Sequence, residues 1–439
     1  MRTQPDITLV HLQGPAPVVS PPLGCMCLLA ALEAAGVRAE FRDYQLVDGP
    51  PFEPEGLVRF ITDDSAGIIG IGAMVNVLPH LVRALSEIKT RFPEKTVILG
   101  GPGPASVAEA LLGAYPVADI VVRGEGEEAL PELVRAIQAG KDLNAIAGIV
   151  IPSSLGIKCT PIRPRIADLD TLPPPAFGRI DLARYNGAVP LELSRGCPFS
   201  CAFCETSAFW GHEVRHYLPE RVADTVRAMA RQAGRCEFGF VDDTFGIDRA
   251  RADRLVGLLA ESGARWTCST RVERLERGWV SALSEGGCTG VFLGIESGAD
   301  GVLSRIGKRG LPAGEIVDRV AVLQGRFDPI TASFVWGFPF ESLHDLAETL
   351  SLAAALRSLG AVTPMHLLSA LPSAPLTREF ASLRRFDLGL VPDLSAVPLD
   401  RETTVMVQQH VDVFSSFYYF DHPGVGAKRR MVCRHGGAH

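Results

Sequence analysis

The chain has 439 residues, 47% hydrophobic and 21% charged, enough to bury more than one core and to exclude global disorder. A net charge of −7 with no long basic run argues against a nucleic acid held by bulk electrostatics. The 44 glycines and 32 prolines follow no Gly-X-Y period, no long apolar stretch is free of charge, and no signal-peptide core follows Met1. Collagen-like, membrane-spanning and secreted classes fall away, and a cytoplasmic protein is expected.

Short β-branched runs alternate with amphipathic stretches from residue 7 to 150, the pattern of a parallel sheet covered by helices on both faces. The expected strands are Ile7–His11, Arg38–Arg42, Gly67–Gly72, Thr96–Gly100 and Ile120–Arg123. The expected helices are Gly24–Ala35, Leu78–Arg91, Ser106–Ala114 and Glu127–Ala139. The result is a five-stranded doubly wound domain over 1–145 whose ligand lies beyond the carboxyl ends of its strands. Prolines punctuate 146–190, which reads as a linker with a short hairpin around Gly156. Six βα-like units follow over 191–390. Their strands are Leu191–Ser194, Cys236–Asp242, Arg265–Ser269, Gly290–Ile295, Ile330–Val335 and Met365–Leu368, and the pattern is that of a partial parallel (βα)6 barrel. A C-terminal extension, 391–439, holds one helical candidate, Glu402–Phe417, then Tyr418-Tyr419-Phe420 and a basic end.

Ten cysteines are too sparse for a disulfide scaffold, yet Cys197, Cys201 and Cys204 crowd into eight residues. Three thiolates spaced C-x3-C-x2-C just after a strand can wrap an iron–sulfur cluster of four irons and leave one iron open. Gly196 and Pro198 shape the turn, while Phe199 and Phe203 can shield the cluster. A zinc site completed by His212 or His216 fits less well, because structural zinc pairs two short ligand steps.

The motif, its place after the first barrel strand and the later strand ends resemble the radical S-adenosylmethionine (SAM) enzymes over Leu191 to about Leu376. The resemblance implies a [4Fe-4S] cluster on Cys197, Cys201 and Cys204, with SAM chelated at the open iron and cleaved by one electron to a 5′-deoxyadenosyl radical. It implies SAM contacts from Phe203, from Asp242 and Asp243 after the second strand, from Arg271 after the third, from Glu296 and Ser297 after the fourth, and from Trp336 and Gly337 after the fifth. Each acid, and Arg271, also has a plainer reading as a surface ion pair or helix cap.

The N-terminal sheet resembles the flavodoxin-like, Rossmann-like cobalamin-binding domain that precedes many such barrels. The matching segments hold Pro22 and Gly24; Gly72, Ala73, Met74 and Asn76; Gly100 and Gly101; and Gly124, Glu125 and Gly126. Glycines at strand ends permit close backbone approach to a large ligand. The D-x-H-x-x-G signature that supplies a histidine to cobalt is absent: His11 lies in a strand and His80 in a helix.

Together the resemblances imply a cobalamin-dependent radical SAM methyltransferase. Its substrate would be an unactivated carbon or phosphorus centre of a small molecule or peptide, and its electrons would come from a donor such as flavodoxin or ferredoxin. Other outcomes are 3-amino-3-carboxypropyl transfer, cyclisation or rearrangement, and, outside catalysis, a cobalamin or iron–sulfur sensor. Cys433, in a basic stretch of an expected flexible tail, is a candidate ligand, proton donor or radical quencher. Cys25, Cys27, Cys159, Cys236, Cys268 and Cys288 read as core or strand cysteines.

Overall fold

Backbone pairing and side-chain alternation put two separate parallel sheets in the chain. The computed structural model describes residues 4–435 apart from Pro15, Arg235, Cys236 and Ala396, so the expectation for Cys236 lies outside the described residues. The chain forms two compact units, Met1–Gly187 with Ser395–Phe417, and Ala188–Leu394 with Tyr418–His439.

The first unit runs β1 (Ile7–Leu12), α1 (Leu23–Ala34), β2 (Ala39–Asp43), α2 (Pro54–Thr62), β3 (Ile68–Ala73), α3 (Leu78–Arg91), β4 (Thr96–Gly100), α4 (Pro102–Ser106), α5 (Ala108–Ala114), β5 (Ile120–Val122), α6 (Gly126–Gln138), β6 (Ile149–Ser153) and β7 (Gly156–Cys159). Strand order is β2-β1-β3-β4-β5-β6-β7, parallel from β2 to β5. The order reverses between β1 and β3, the crevice where open α/β sheets take their ligands. Ile69, Ile71, Val97 and Leu99 are buried on one face and Ile68 and Ile98 on the other, which explains why these strands read as continuous apolar runs.

Three details depart from expectation. Helix α2 is not among the expected helices: Pro54 occupies its first turn, where a missing N–H costs nothing, and Glu53 caps it by accepting from Glu55 N at 3.2 Å. The helix expected over Ser106–Ala114 is two, divided at Val107. Residues 146–187 do not behave as a linker: the hairpin around Gly156 adds antiparallel β6 and β7 to the sheet, and Phe177 and Tyr185 are buried in this unit. Prolines there remove donors without removing apolar surface, so the segment still packs.

The second unit opens with β8 (Val189–Leu191), β9 (Ser194–Arg195), α7 (Thr206–Trp210), β10 (Arg215–His216), α8 (Pro219–Ala233) and β11 (Glu237–Phe240). It continues with α9 (Arg249–Ala260), β12 (Arg265–Thr270), α10 (Arg277–Glu285), β13 (Cys288–Glu296), α11 (Asp300–Arg305), α12 (Ile316–Ala321), β14 (Ile330–Trp336), α13 (Leu343–Ser358), β15 (Met365–Leu367), α14 (Pro375–Glu379) and β16 (Arg384–Arg385). Strands β8-β11-β12-β13-β14-β15 form one parallel sheet in chain order, the open six-stranded barrel expected.

The C-terminal stretch is divided between the units. Helix α15 (Arg401–Gln409) belongs to the first, where Arg83 on α3 pairs with Asp400 and with Glu402 at 3.2 Å. Strand β17 (Tyr419–Phe420) and helix α16 (Val425–His435) belong to the second. Tyr418, Tyr419 and Phe420 are buried, and β17 pairs with β16, so the aromatic run is packing. Among the described residues no helix is long and apolar enough to cross a membrane.

Candidate functional site

The cysteine loop follows β9 and is shaped from both ends. Gly196 adopts φ +106, and a Cβ there would run into the Glu213 carbonyl, so only glycine fits the turn into Cys197. Cys204 N donates to Cys201 O at 3.1 Å, and Thr206 N donates to Cys204 Sγ at 3.4 Å. The loop's midpoint is docked by its backbone: Ala202 N donates to Ile306 O, and Leu376 N to Ala202 O, both at 2.9 Å.

Burial pushes the Cys197 and Cys201 thiols up, and the neighbouring cysteines add to this. At Cys201 the cations of Lys308 and Arg271 work the other way, which favours thiolate. Among the described residues no three ligating side chains converge on a single ion. A four-iron cluster does not need them to, since each thiolate takes a different iron, and the three half-buried sulfurs within one loop fit it.

The strand ends place the expected SAM residues unequally. Arg271, buried beyond β12, has its guanidinium 3.9 Å from the centroid of the Phe199 ring and donates from Nε to Glu273. Asp243 is exposed and accepts from Thr206 Oγ1 at 3.1 Å, which ties the β11 end to the cysteine loop. Phe203 meets Phe338 edge-on, ring centroids 6.1 Å apart. Trp336 is buried at the end of β14, and Gly337 takes φ +92.

Two residues expected at the ligand turn inward. Asp242 is buried and accepts from Leu193 N at 3.0 Å and Ser194 Oγ at 2.5 Å, so it holds the strand entering the cysteine loop. Burial pushes its carboxyl up to about 7 against the pull of those two donors. Ser297 is fully buried, its hydroxyl shared with Thr349 Oγ1 at 3.0 Å and accepting from Ala299 N at 3.1 Å. Both residues lie just past their strands, where these buried hydrogen bonds decide which of two adjacent polar side chains turns inward.

Glu296 does occupy a strained position. Its φ of +70 lies in the left-handed region, where β13 loses register against β14. Lys308 reaches back to it, Nζ to Oε1 at 2.8 Å, and also donates to the Gly294 carbonyl. Gly294 leaves the space: a Cβ there would come within 2.9 Å of Lys308 Nζ. Sequence reasoning missed Lys308, whose only local signal is a cation twelve residues after Glu296.

In the first unit the cobalamin-type residues gather at the carboxyl ends of β3 to β5 and the starts of α1 and α6. Gly24, Gly100 and Gly124 have open space where a Cβ would stand. Pro22 precedes α1 as its N-cap residue. Gly101, at φ +85, lies with its Cβ direction 2.9 Å from the Ala73 carbonyl, and a Cβ on Gly103 would come within 2.5 Å of the Met74 backbone, so the loops after β3 and β4 are locked together. Met74 stands 47% exposed there, and Asn76 holds a buried Oδ1 with no partner among the described residues. Gly72 faces the Cys25 sulfur, and Gly126 faces Leu28, which lets α6 approach α1. Glu125 is partly committed, accepting from Ile166 N at 2.9 Å. An orphaned amide oxygen, an exposed thioether and open glycines beside a topological switch point fit a large planar ligand with a polar tail.

His11 Nδ1 lies 2.9 Å from Asp43 Oδ1, and the same carboxylate accepts from Tyr185 OH at 2.8 Å. His80 is buried on α3 and stacked on Phe52, with centroids 4.4 Å apart, and burial holds it down to about 4. Cys25, Cys27, Cys268 and Cys288 are buried, as expected, while Cys159 is on a strand but exposed. Cys433 is exposed on α16, so the expected flexible tail is a helix.

A doubly wound glycine-loop sheet and an open parallel barrel entered by a three-cysteine loop define a cobalamin-type radical SAM protein. Residues 191–353 match the radical SAM superfamily and residues 14–134 the B12 binding domain. An uncharacterized methyltransferase of Pyrococcus horikoshii is 31% identical over 344 residues, spanning 76% of this chain and 73% of the relative. The anaerobic magnesium-protoporphyrin IX monomethyl ester cyclase of Rubrivivax gelatinosus is 28% identical over 308 residues, 67% of this chain and 55% of that one. The fold matches that of the radical SAM methyltransferase TsrM from Kitasatospora setae, solved with cobalamin and a [4Fe-4S] cluster, at a TM-score of 0.74 and 19% identity over 95% of this chain and 88% of that one. The chain belongs to the radical SAM superfamily, in the group that carries a B12-binding domain ahead of the barrel. Its cofactors are a [4Fe-4S] cluster, SAM and cobalamin.

Proposed function

We propose that this chain is a cobalamin-dependent methyltransferase that acts on an unactivated carbon or phosphorus centre of a small molecule or peptide. The observation that carries the reading is the pairing, in one chain, of a three-thiol loop with no fourth protein ligand among the described residues and a glycine-opened crevice at a sheet switch point. When bound, the cluster and SAM supply one-electron hydrogen abstraction, and cobalamin supplies the methyl group in transit.

The chain's own residues bind and orient. Cys197, Cys201 and Cys204 hold the cluster. Asp243 and Glu296 offer carboxylates to the SAM ammonium or ribose, while Arg271 and Lys308 balance the negative charge of a thiolate-bound core. Trp336, Gly337, Phe203 and Phe338 form an apolar wall for the adenine and keep water from the cluster. Gly24, Gly100, Gly101, Gly124, Met74 and Asn76 receive the cobalamin.

Anaerobic reconstitution with iron, sulfide and cobalamin, followed by product analysis with SAM and a low-potential donor such as flavodoxin, tests the reading. S-adenosylhomocysteine together with 5′-deoxyadenosine supports it; protein that takes up no cobalamin and cleaves no SAM ends it. A cyclase name on three relatives favours a second reading, in which the radical closes a ring; 5′-deoxyadenosine without S-adenosylhomocysteine would point there.

A further inference from the structure

Lys428 lies on α16 with 1% of its surface exposed, a rare place for an ammonium. Its three N–H donors meet three acceptors: Glu341 Oε2 at 3.1 Å, the Phe338 carbonyl at 3.3 Å and His422 Nε2 at 3.5 Å. Glu341 is equally enclosed. Its Oε2 also accepts from Gly337 N at 3.0 Å, and its Oε1 is buried without a partner among the described residues. Burial pushes the Lys428 ammonium down and the Glu341 carboxyl up, so the pair holds its charge at a cost.

Two of these bonds end on one turn. The N–H of Gly337 and the carbonyl of Phe338 are both fixed by the ion pair, in a turn whose φ of +92 at Gly337 is open only to glycine, with Leu367 Cδ1 2.9 Å from where a Cβ would stand. A buried ion pair is a poor general stabiliser, since apolar replacements of similar volume are often neutral or better. Its value here is directional, because it orients backbone groups that no apolar side chain could hold.

We propose that Lys428, acting through Glu341, is a positioning residue for SAM: the C-terminal helix staples the Trp336–Phe338 turn into the shape that receives the adenosyl group. This rests on the assignment of that turn to SAM made above.

The test uses the reconstituted full chain. Binding of S-adenosylhomocysteine, KM for SAM and backbone amide exchange over 336–341 are compared in wild type, Lys428→Met, Glu341→Gln, Trp336→Ala and Arg430→Ala, the last an exposed position on the same helix. In Lys428→Met we expect about tenfold weaker binding, equivalent to about 1.4 kcal/mol, with faster exchange at 336–341, a raised KM, retained kcat at saturation and unchanged iron content. Glu341→Gln shifts in the same direction and carries the comparison should Lys428→Met fail to fold. Arg430→Ala stays within about twofold of wild type, the range of surface changes. Unchanged binding in both Lys428→Met and Glu341→Gln, with weakened binding in Trp336→Ala, overturns the proposal. Unchanged binding in Trp336→Ala as well removes the assignment of the turn, and the proposal with it.

Discussion

The guanidinium of Arg271 lies over the Phe199 ring, 3.9 Å from its centroid, so a cation from the third barrel strand clamps the middle of the cysteine loop. Such a contact contributes about 0.5 to 2 kcal/mol depending on its desolvation. Arg271→Met and Phe199→Leu should each speed iron loss to a chelator severalfold, and the double variant should lose little more than either alone. Additive effects would mean that the two residues act separately.

The left-handed backbone at Glu296 costs about 1 kcal/mol or more, and the Lys308 ion pair helps to hold it. Glu296→Gly relieves that strain but leaves the Lys308 ammonium without its carboxylate, so it should lower stability less than Lys308→Met does while weakening SAM binding. Lys308→Met, which leaves a buried carboxylate alone, should lower stability by about 3 kcal/mol. Differential scanning calorimetry and ligand titration on the two variants read these signatures.

Stability should respond to pH in opposite directions in the two units. His80, held down to about 4 from 6.5, binds fewer protons folded than unfolded in that interval, so the first unit loses stability as pH falls from about 6.5 toward 4. Asp242, raised to about 7 from 3.8, binds more protons folded than unfolded, so the second unit loses stability as pH rises through the same range to about 7. All four tryptophans, 210, 266, 279 and 336, are in the second unit, so their fluorescence in urea reports it alone. The slope should approach about 1.4 kcal/mol per pH unit and should flatten in Asp242→Asn, which keeps the shape without the titration.

Gly103→Ala should break the lock between the loops after β3 and β4, because the new methyl would come within 2.5 Å of Met74 backbone carbon. Cobalamin uptake, followed by visible absorbance, should fall sharply. Gly113→Ala, with nothing within 4 Å of the new atom, is the matched control and should bind as wild type.

What the sequence disclosed was whatever is local. The three cysteines proposed as cluster ligands lie within eight residues, and the central strands β3 and β4 of the first sheet are buried on both faces and so read as apolar runs. Glycine loops announced the first unit's crevice for the same reason, since a backbone needing φ near +85 at 101 and 124 leaves its mark in residue type. Positions that depend on distant partners did not show. Lys308 is significant only because β13 bulges toward it, and Lys428 only because a strand end 90 residues earlier offers Glu341 and Phe338. Asp242 and Ser297 follow strand ends and so read as ligand contacts, whereas bonds to Leu193, Ser194 and Thr349, distant in sequence, turn their side chains inward. The proline-rich segment reads as a linker with a hairpin because prolines remove donors, while the partners that bury Phe177 and Tyr185 are distant in sequence.

The alternation of the chain between its two units has a cost during synthesis. Residues 395–417 complete the first unit only after the whole barrel has been made, and residues from 418 onward then return to complete the second. A nascent chain on the ribosome therefore carries two unfinished cores at once, with apolar surface open to chaperones and to aggregation until residues 395–417 and those after them emerge. A stop codon just before Ser395 would not release one sound domain; it would leave both with a missing piece.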